Sequence, residues 1–155
     1  MKYIADYLHN LGLKFVMYSD GGFYTCAVYP ASYGYEIVDA QTFADRGIDY
    51  LKYDFGFFPT SADPATAYLT MVQALRMTGH DIIFAACTAG ARNPERWARS
   101  RGCHTYRSTN DISDSKTSGT NIFRCTKKLR PENKSPVLNI LIVHSKQLIL
   151  KRPHR

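Results

Sequence analysis

The chain has 155 residues and a formal net charge of +7. No stretch approaches the twenty or so apolar residues of a membrane span, which excludes a spanning helix, while a hydrophobic share of 45% is ample for a buried core. The charge is unevenly placed: residues 1–115 hold ten Lys and Arg against twelve acids, and residues 116–155 hold ten against Glu132 alone. A nearly neutral body argues against a nucleic-acid partner, and the basic end carries no zinc-finger spacing, aromatic stacking motif or heptads.

Met1 to Leu11 reads as a helix through Ile4, Tyr7, Leu8 and Leu11, closing on Gly12 before an apolar strand pattern, Leu13 to Tyr18, that leads into Asp20. Met1-Lys2 thus runs into an amphipathic helix rather than the apolar core of a signal peptide, and the localisation stays open. Tyr35 to Arg46 repeats the helical spacing through Ile37, Val38 and Phe43, closes on Gly47 and precedes the strand pattern Tyr50 to Asp54. Asp63-Pro64 puts a capping side chain before a proline at the first helical position, where the missing N–H is no loss. Tyr68, Met71, Val72 and Leu75 continue at helical spacing to Gly79, and the strand pattern Ile82 to Cys87 follows. Asn93-Pro94 repeats the start signal, Trp97 follows at helical spacing, and Gly102 precedes a last strand pattern from Thr105 to Thr109. Glycine at the helix C-cap followed by a strand, four times over, gives αβ-αβ-αβ-αβ.

Such alternation implies parallel pairing with crossovers, in either a (β/α)8 barrel or a doubly wound sheet. Both place function at the carboxyl ends of strands. Gly21-Gly22 is too short for a phosphate-binding turn, whereas Asp20, Asp54 and Asp111 at three strand ends fit the single mouth of a barrel. A whole barrel takes roughly 250 residues. The α/β repeat therefore predicts a partial (β/α)8 TIM barrel of about four βα units in residues 1–115, with residues 116–155 as a basic tail outside the fold.

Side chains two apart on a strand share a face, so Lys52 and Asp54 point the same way, and an adjacent ammonium favours a carboxylate. Arg107 stands four residues before Asp111 in the same manner. Two acids at two strand ends suggest carboxylate-pair chemistry, although a structural ion pair is the plainer reading of Lys52 and Asp54. Asp20 is open to two readings, a loop cap or a ligand. Tyr18 and Tyr53 fit packing as well as recognition, Trp97 reads as core, and His9, His80 and His104 stand singly. The four cysteines, Cys26, Cys87, Cys103 and Cys125, form no CxxC pair, so the spacing offers no zinc site. Cys87 and Cys103, in or beside strand patterns, read as buried thiols.

Several motifs together resemble one family. They are the helix from Met1 to His9, the strand Gly12 to Asp20, the loop with Thr25-Cys26 and Tyr29-Pro30-Ala31-Ser32, the segment Asp39-Ala40-Gln41-Thr42-Phe43, the run Gly47 to Asp54, and Arg107-Ser108-Thr109-Asn110-Asp111-Ile112. In this order and spacing, from about Met1 to Asp114, they are similar to the α-galactosidase family of retaining glycoside hydrolases, which also contains α-N-acetylgalactosaminidases. The resemblance implies barrel strands three to six, Asp54 as the nucleophile and Asp111 as the acid and base. It further implies Lys52 and Arg107 on sugar hydroxyls, Tyr18 near the sugar, an α-galactoside or related carbohydrate as partner, and no cofactor.

Departures from the pattern carry expectations of their own. The family's first two strands, with a tryptophan and a pair of aspartates for the 4- and 6-hydroxyls, have no counterpart here, nor do its last two strands and β-domain. An isolated chain is therefore expected to be inactive, and the rival reading is a non-catalytic half-barrel that self-associates through open strand edges. The family usually pairs the cysteine at Cys26 with one just after the nucleophile, but Phe55 and Gly56 stand there, which implies a free thiol. Thr88-Ala89-Gly90 replaces a usual glutamate that reads the 2-hydroxyl. Thr88 is thus a candidate sugar contact, and the preference between galactose and N-acetylgalactosamine stays open.

Overall fold

The computed structural model describes residues 1–111, 113–118 and 120. Its elements are α1 (Lys2–Asn10), β1 (Val16–Asp20), α2 (Glu36–Asp45), β2 (Tyr50–Asp54), α3 (Pro64–Met77), β3 (Ile83–Cys87), a single 3-10 turn (Pro94–Arg96) and β4 (Thr105–Arg107). The strands form one parallel sheet in the order β1-β2-β3-β4. Sequential order and parallel pairing are what the αβ repeat predicts.

Register fixes which side chains share a row. Asp20 pairs with Asp54, Asp54 with Cys87, and Cys87 with Arg107, so the carboxyl ends of all four strands lie in line. Two residues earlier, and so on the same face, come Tyr18, Lys52, Ala85 and Thr105. Alternation along β2 then divides the sheet: Leu51 and Tyr53 are buried, while Tyr50, Lys52 and Asp54 are partly exposed. Leu51, Tyr53, Phe84 and Ala86 join Ala40, Phe43, Tyr68, Met71, Val72 and Leu75 in one core with the helices. Burial of those aliphatic and aromatic groups, at ~25 cal/mol per Å² of apolar surface removed from water, is the main force holding helices to sheet. The opposite face carries the polar row.

Local signals explain the helix boundaries. Asp63 accepts from the Thr66 N–H at 3.0 Å and from its hydroxyl at 2.7 Å, capping α3 as its sequence predicts. Gly12, Gly47, Gly79 and Gly102 all take positive φ. After two of them the chain closes with a reverse bond, Leu13 to the Leu8 carbonyl and Ile48 to Phe43, which satisfies a carbonyl left over at the helix end, and after Gly102 the Cys103 N–H bonds likewise to the Ala98 carbonyl in a turn.

Two expectations are corrected. Asn93-Pro94 does not start a full helix: Asn93 itself lies in the left-handed region with φ 50°, makes no side-chain cap, and Trp97 leaves helical geometry at φ −130°. The Trp97 ring instead packs 5.2 Å from Tyr68, and its Nε1 donates to the Arg92 carbonyl at 2.9 Å. The last strand stops at Arg107 rather than Thr109. At that point the loop around Gly90 lies so close that a Cβ on Gly90 would stand 2.8 Å from the Ser108 oxygen.

Candidate active site

The strongest cluster at the carboxyl edge is built on β2. Lys52 Nζ lies 3.1 Å from Asp54 Oδ1 and 3.2 Å from Oδ2, and each side chain is 15% exposed. The same ammonium stands 4.9 Å from the centre of the Tyr18 ring, a cation–π distance. Tyr18, level with Lys52 on β1, donates its hydroxyl to Cys26 Sγ at 3.3 Å, and Cys26 Sγ lies 3.9 Å from Asp54 Oδ2. Burial first, then the hydrogen bond to Cys26 and the charge of Asp54, push the Tyr18 phenol well above its ordinary pKa. Tyr18 is therefore a neutral donor at any physiological pH.

Asp20 proves to be the pin of the mouth. Its side chain is fully buried, Oδ1 accepts from the Gly22 N–H at 2.8 Å, and Oδ2 accepts from the Gly56 N–H at 2.9 Å. It thus ties the loop after β1 to the loop after β2. Burial raises its pKa to about 6, the two amides opposing and Asp54 adding a smaller push. The Gly21-Gly22 pair serves this close approach: a Cβ on Gly22 would fall 1.8 Å from the Gly56 oxygen. The loop-cap reading of Asp20 is the one its contacts support.

Arg107 ends β4 two strands away from Asp54, a spacing of roughly 10 Å across the sheet. It forms an ion pair with Asp111, whose side chain is 72% exposed. Asp111 lies on the wall of an open groove of about 620 Å³, opposite the loop Ala89, Gly90 and Ala91 that follows β3. Thr88 is buried at the start of that loop, and its hydroxyl donates to the Ala91 carbonyl at 2.6 Å. Cys87 sits between Asp54 and Arg107, its thiol pushed up to about 11 by burial and by Asp54. The predicted residues therefore fall into a contact group, Tyr18 with Lys52 and Asp54, and a second pair, Arg107 with Asp111, along one edge.

Cys26 is free and exposed, and Cys87 and Cys103 are free and buried. Cys125 lies outside the described residues. Sequence reasoning left Cys26 out of the site although one signal was at hand, since a cysteine whose usual partner follows the nucleophile must lie beside it. Among the described residues, only Asp20, Cys26 and Asp54 bring metal-ligating atoms together, within 4.8 Å of one another. The Asp20 carboxylate is already taken by amides and Asp54 by an ammonium, so this donor set is poorly suited to a cation. His9 and His104 are structural: His9 Nε2 pairs with Asp49 at 2.7 Å, and His104 Nδ1 accepts from the Phe84 N–H at 2.9 Å.

A parallel α/β sheet with acids and a lysine along its carboxyl edge fits part of a (β/α)8 barrel, whose functional groups gather at that edge. Comparison with known proteins narrows the class. The sequence profile of the family described as α-galactosidase A matches residues 1–135, running past Ser115, where the αβ repeat ends. The chain belongs to that family. It is 46% identical over 114 residues to a probable α-galactosidase of Dictyostelium discoideum, covering 74% of this chain and 29% of that protein. A Bacteroides fragilis protein solved by crystallography as a candidate α-galactosidase/melibiase superposes with a TM-score of 0.78 at 41% identity, over 83% of this chain and 28% of its own. The Saccharomyces cerevisiae α-galactosidase solved with raffinose gives 0.69 at 36% identity, over 74% of this chain and 26% of its own. The chain thus spans less than a third of the length of these relatives.

Proposed function

We propose that this segment carries the nucleophile and the acid–base residue of a retaining α-galactosidase. The observation that supports it best is the contact group on β2, where Asp54 stands at a strand end with the Lys52 ammonium against both its oxygens. In the first step an Asp54 oxygen bonds to the anomeric carbon as the glycosidic C–O bond breaks, and Asp111 gives its proton to the departing oxygen. In the second, Asp111 takes a proton from water, the water oxygen bonds to the anomeric carbon, and Asp54 leaves. Two inversions give net retention. Asp111 must begin protonated, which its ion pair with Arg107 opposes, so sugar binding has to draw Arg107 onto a hydroxyl before the first step.

Lys52, Arg107, Tyr18 and Thr88 are assigned to the sugar. The Tyr18 phenol, held neutral, turns its one hydrogen from Cys26 to a sugar oxygen when substrate binds, while Lys52 spans the carboxylate and the ring. The substrate is a terminal α-galactoside, in keeping with the raffinose bound by the Saccharomyces cerevisiae relative; an α-N-acetylgalactosaminide is the second reading, favoured by the small Thr88-Ala89-Gly90 loop.

Transition-state stabilisation needs rigid donors around the whole sugar, and four strands supply only part of that ring. We expect the 155-residue chain to release aryl alcohol from an activated aryl α-galactoside no faster than its own Asp54→Asn variant. The same segment set in the complete barrel of a relative is expected to turn over, and to lose that turnover on Asp54→Asn. An active Asp54→Asn protein in the complete barrel would overturn the nucleophile.

A further inference from the structure

Asp54 is flanked in the chain by two residues that both rest on one side chain. The Tyr53 carbonyl accepts from the Tyr68 hydroxyl at 2.8 Å, and the Phe55 ring lies stacked on the Tyr68 ring at 6.2 Å. Across the sheet, Cys87 is the register partner of Asp54, and its N–H donates to the same hydroxyl at 3.2 Å. The residues before, after and beside Asp54 thus converge on Tyr68.

Tyr68 is built to hold them. It lies on the second turn of α3 and is 1% exposed, with its ring 5.7 Å from Tyr53, 5.9 Å from Phe84 and 5.2 Å from Trp97. Aromatic neighbours on several sides fix that ring. Burial pushes its phenol well above the ordinary range, so the hydroxyl keeps its hydrogen. One hydrogen and two lone pairs let it donate to Tyr53 and accept from Cys87 together. Packing alone requires no hydroxyl, since phenylalanine would fill the same space. Both bonds go to main-chain groups at the carboxyl ends of β2 and β3, where the site lies.

We infer that Tyr68 is a positioning residue for the reaction: its hydroxyl fixes the strand end that carries Asp54, and with it the approach of the carboxylate to the anomeric carbon. The inference rests on the assignment of Asp54 as nucleophile. Lys52 holds the Asp54 carboxylate on the polar face of the sheet, and Tyr68 holds the backbone beneath it from the core face. The reacting atoms must stand about 3–3.5 Å apart and in line, and a misplacement of ~1 Å costs roughly 100-fold in rate. The sugar contacts are assigned to other residues, so loss of the hydroxyl falls on the chemical step more than on binding.

The test compares Tyr68→Phe with Val72→Ala, a core change one turn further along α3 that leaves the hydroxyl in place. In the 155-residue chain, with circular dichroism to confirm folding, amide hydrogen exchange is read at Cys87 and at Ile83, whose N–H donates to the Asp49 carbonyl at the other end of β3. Tyr68→Phe is expected to speed exchange at Cys87 about five-fold more than at Ile83, the loss of one local bond, and Val72→Ala to act on both alike. In the complete barrel of a relative, well below its unfolding temperature, Tyr68→Phe is expected to lower kcat on an aryl α-galactoside about ten-fold or more while KM stays within about two-fold. Val72→Ala is expected to leave kcat unchanged. Equal acceleration at Cys87 and Ile83, an unchanged kcat in Tyr68→Phe, or an equal loss in Val72→Ala would overturn the inference. Should Tyr68→Phe fail to fold in the short chain, the kinetic comparison decides alone. Failure of the galactosidase reading would show instead as turnover surviving Asp54→Asn in the complete barrel, with the exchange difference at Cys87 intact.

Discussion

Burial of the Asp20 carboxylate, with backbone amides for partners, moves its pKa up to about 6 from 3.8. A carboxyl with a raised folded pKa binds its proton more tightly in the native state, so its contribution is most favourable below pH 4 and declines as pH rises through 6. By linkage the decline amounts to roughly 3 kcal/mol. Asp20→Asn keeps an acceptor for the amides and removes the titration. Its stability in urea at pH 4, 5, 6 and 7 is expected to follow a flatter course than that of the unaltered chain, and identical slopes would show that Asp20 does not titrate there. Asp49 acts with the opposite sign. Burial opposes its ionisation, but hydrogen bonds from Lys14, the Phe15 N–H and His9 prevail and hold it well below the carboxylate range. That contribution is present at neutral pH and is lost as acid titrates it. Neither shift could be read in the sequence: the partners of Asp49 are 34 to 40 positions away, and those of Asp20 are backbone N–H groups.

The elements were legible to different degrees. Strand β2 runs from Tyr50 to Asp54 as its apolar pattern indicates, and α3 begins at Pro64 behind the Asp63 cap, because each boundary has a local cause. Pro94 starts only a 3-10 turn, because Asn93 before it lies in the left-handed region and its side chain makes no cap. Tyr68 also shows what spacing alone misses. It reads as one apolar position of a helix, yet its hydroxyl donates to the Tyr53 carbonyl at 2.8 Å and accepts from the Cys87 N–H at 3.2 Å. The fully buried ring thus bolts α3 to the ends of β2 and β3 beside the site. Tyr68→Phe leaves the packing and removes both bonds, which should cost about 1–3 kcal/mol, readable as a lower urea midpoint. Leu51→Ala, in the middle of β2, should cost about 2–5 kcal/mol through its cavity. A loss well below ~2 kcal/mol for Leu51→Ala would contradict the placement of the core.

Across the whole molecule, the half of the mouth that could be inferred from sequence is the half that lies on single strands. Lys52 and Asp54 share a face by alternation, and Arg107 precedes Asp111 on one segment. Cys26 was missed because a loop places it, through contacts with no sequence periodicity. Beyond Ser115 the charge becomes strongly positive, and we propose that residues 116–155 lie outside the αβ core. Truncation after Ser115 should leave the helical and strand signals of the circular dichroism spectrum largely unchanged; a large loss would place part of that segment inside the fold, as the family match through residue 135 would then require.

The central claim is that Asp54 attacks the anomeric carbon. The most direct measurement is to set this segment in a complete barrel, treat it with an activated 2-deoxy-2-fluoro α-galactoside, and locate the covalent sugar by mass spectrometry of the digested protein. The predicted result is an adduct on the peptide that contains Asp54, absent in Asp54→Asn. An adduct on another residue, or turnover with inverted configuration and no adduct, would contradict it.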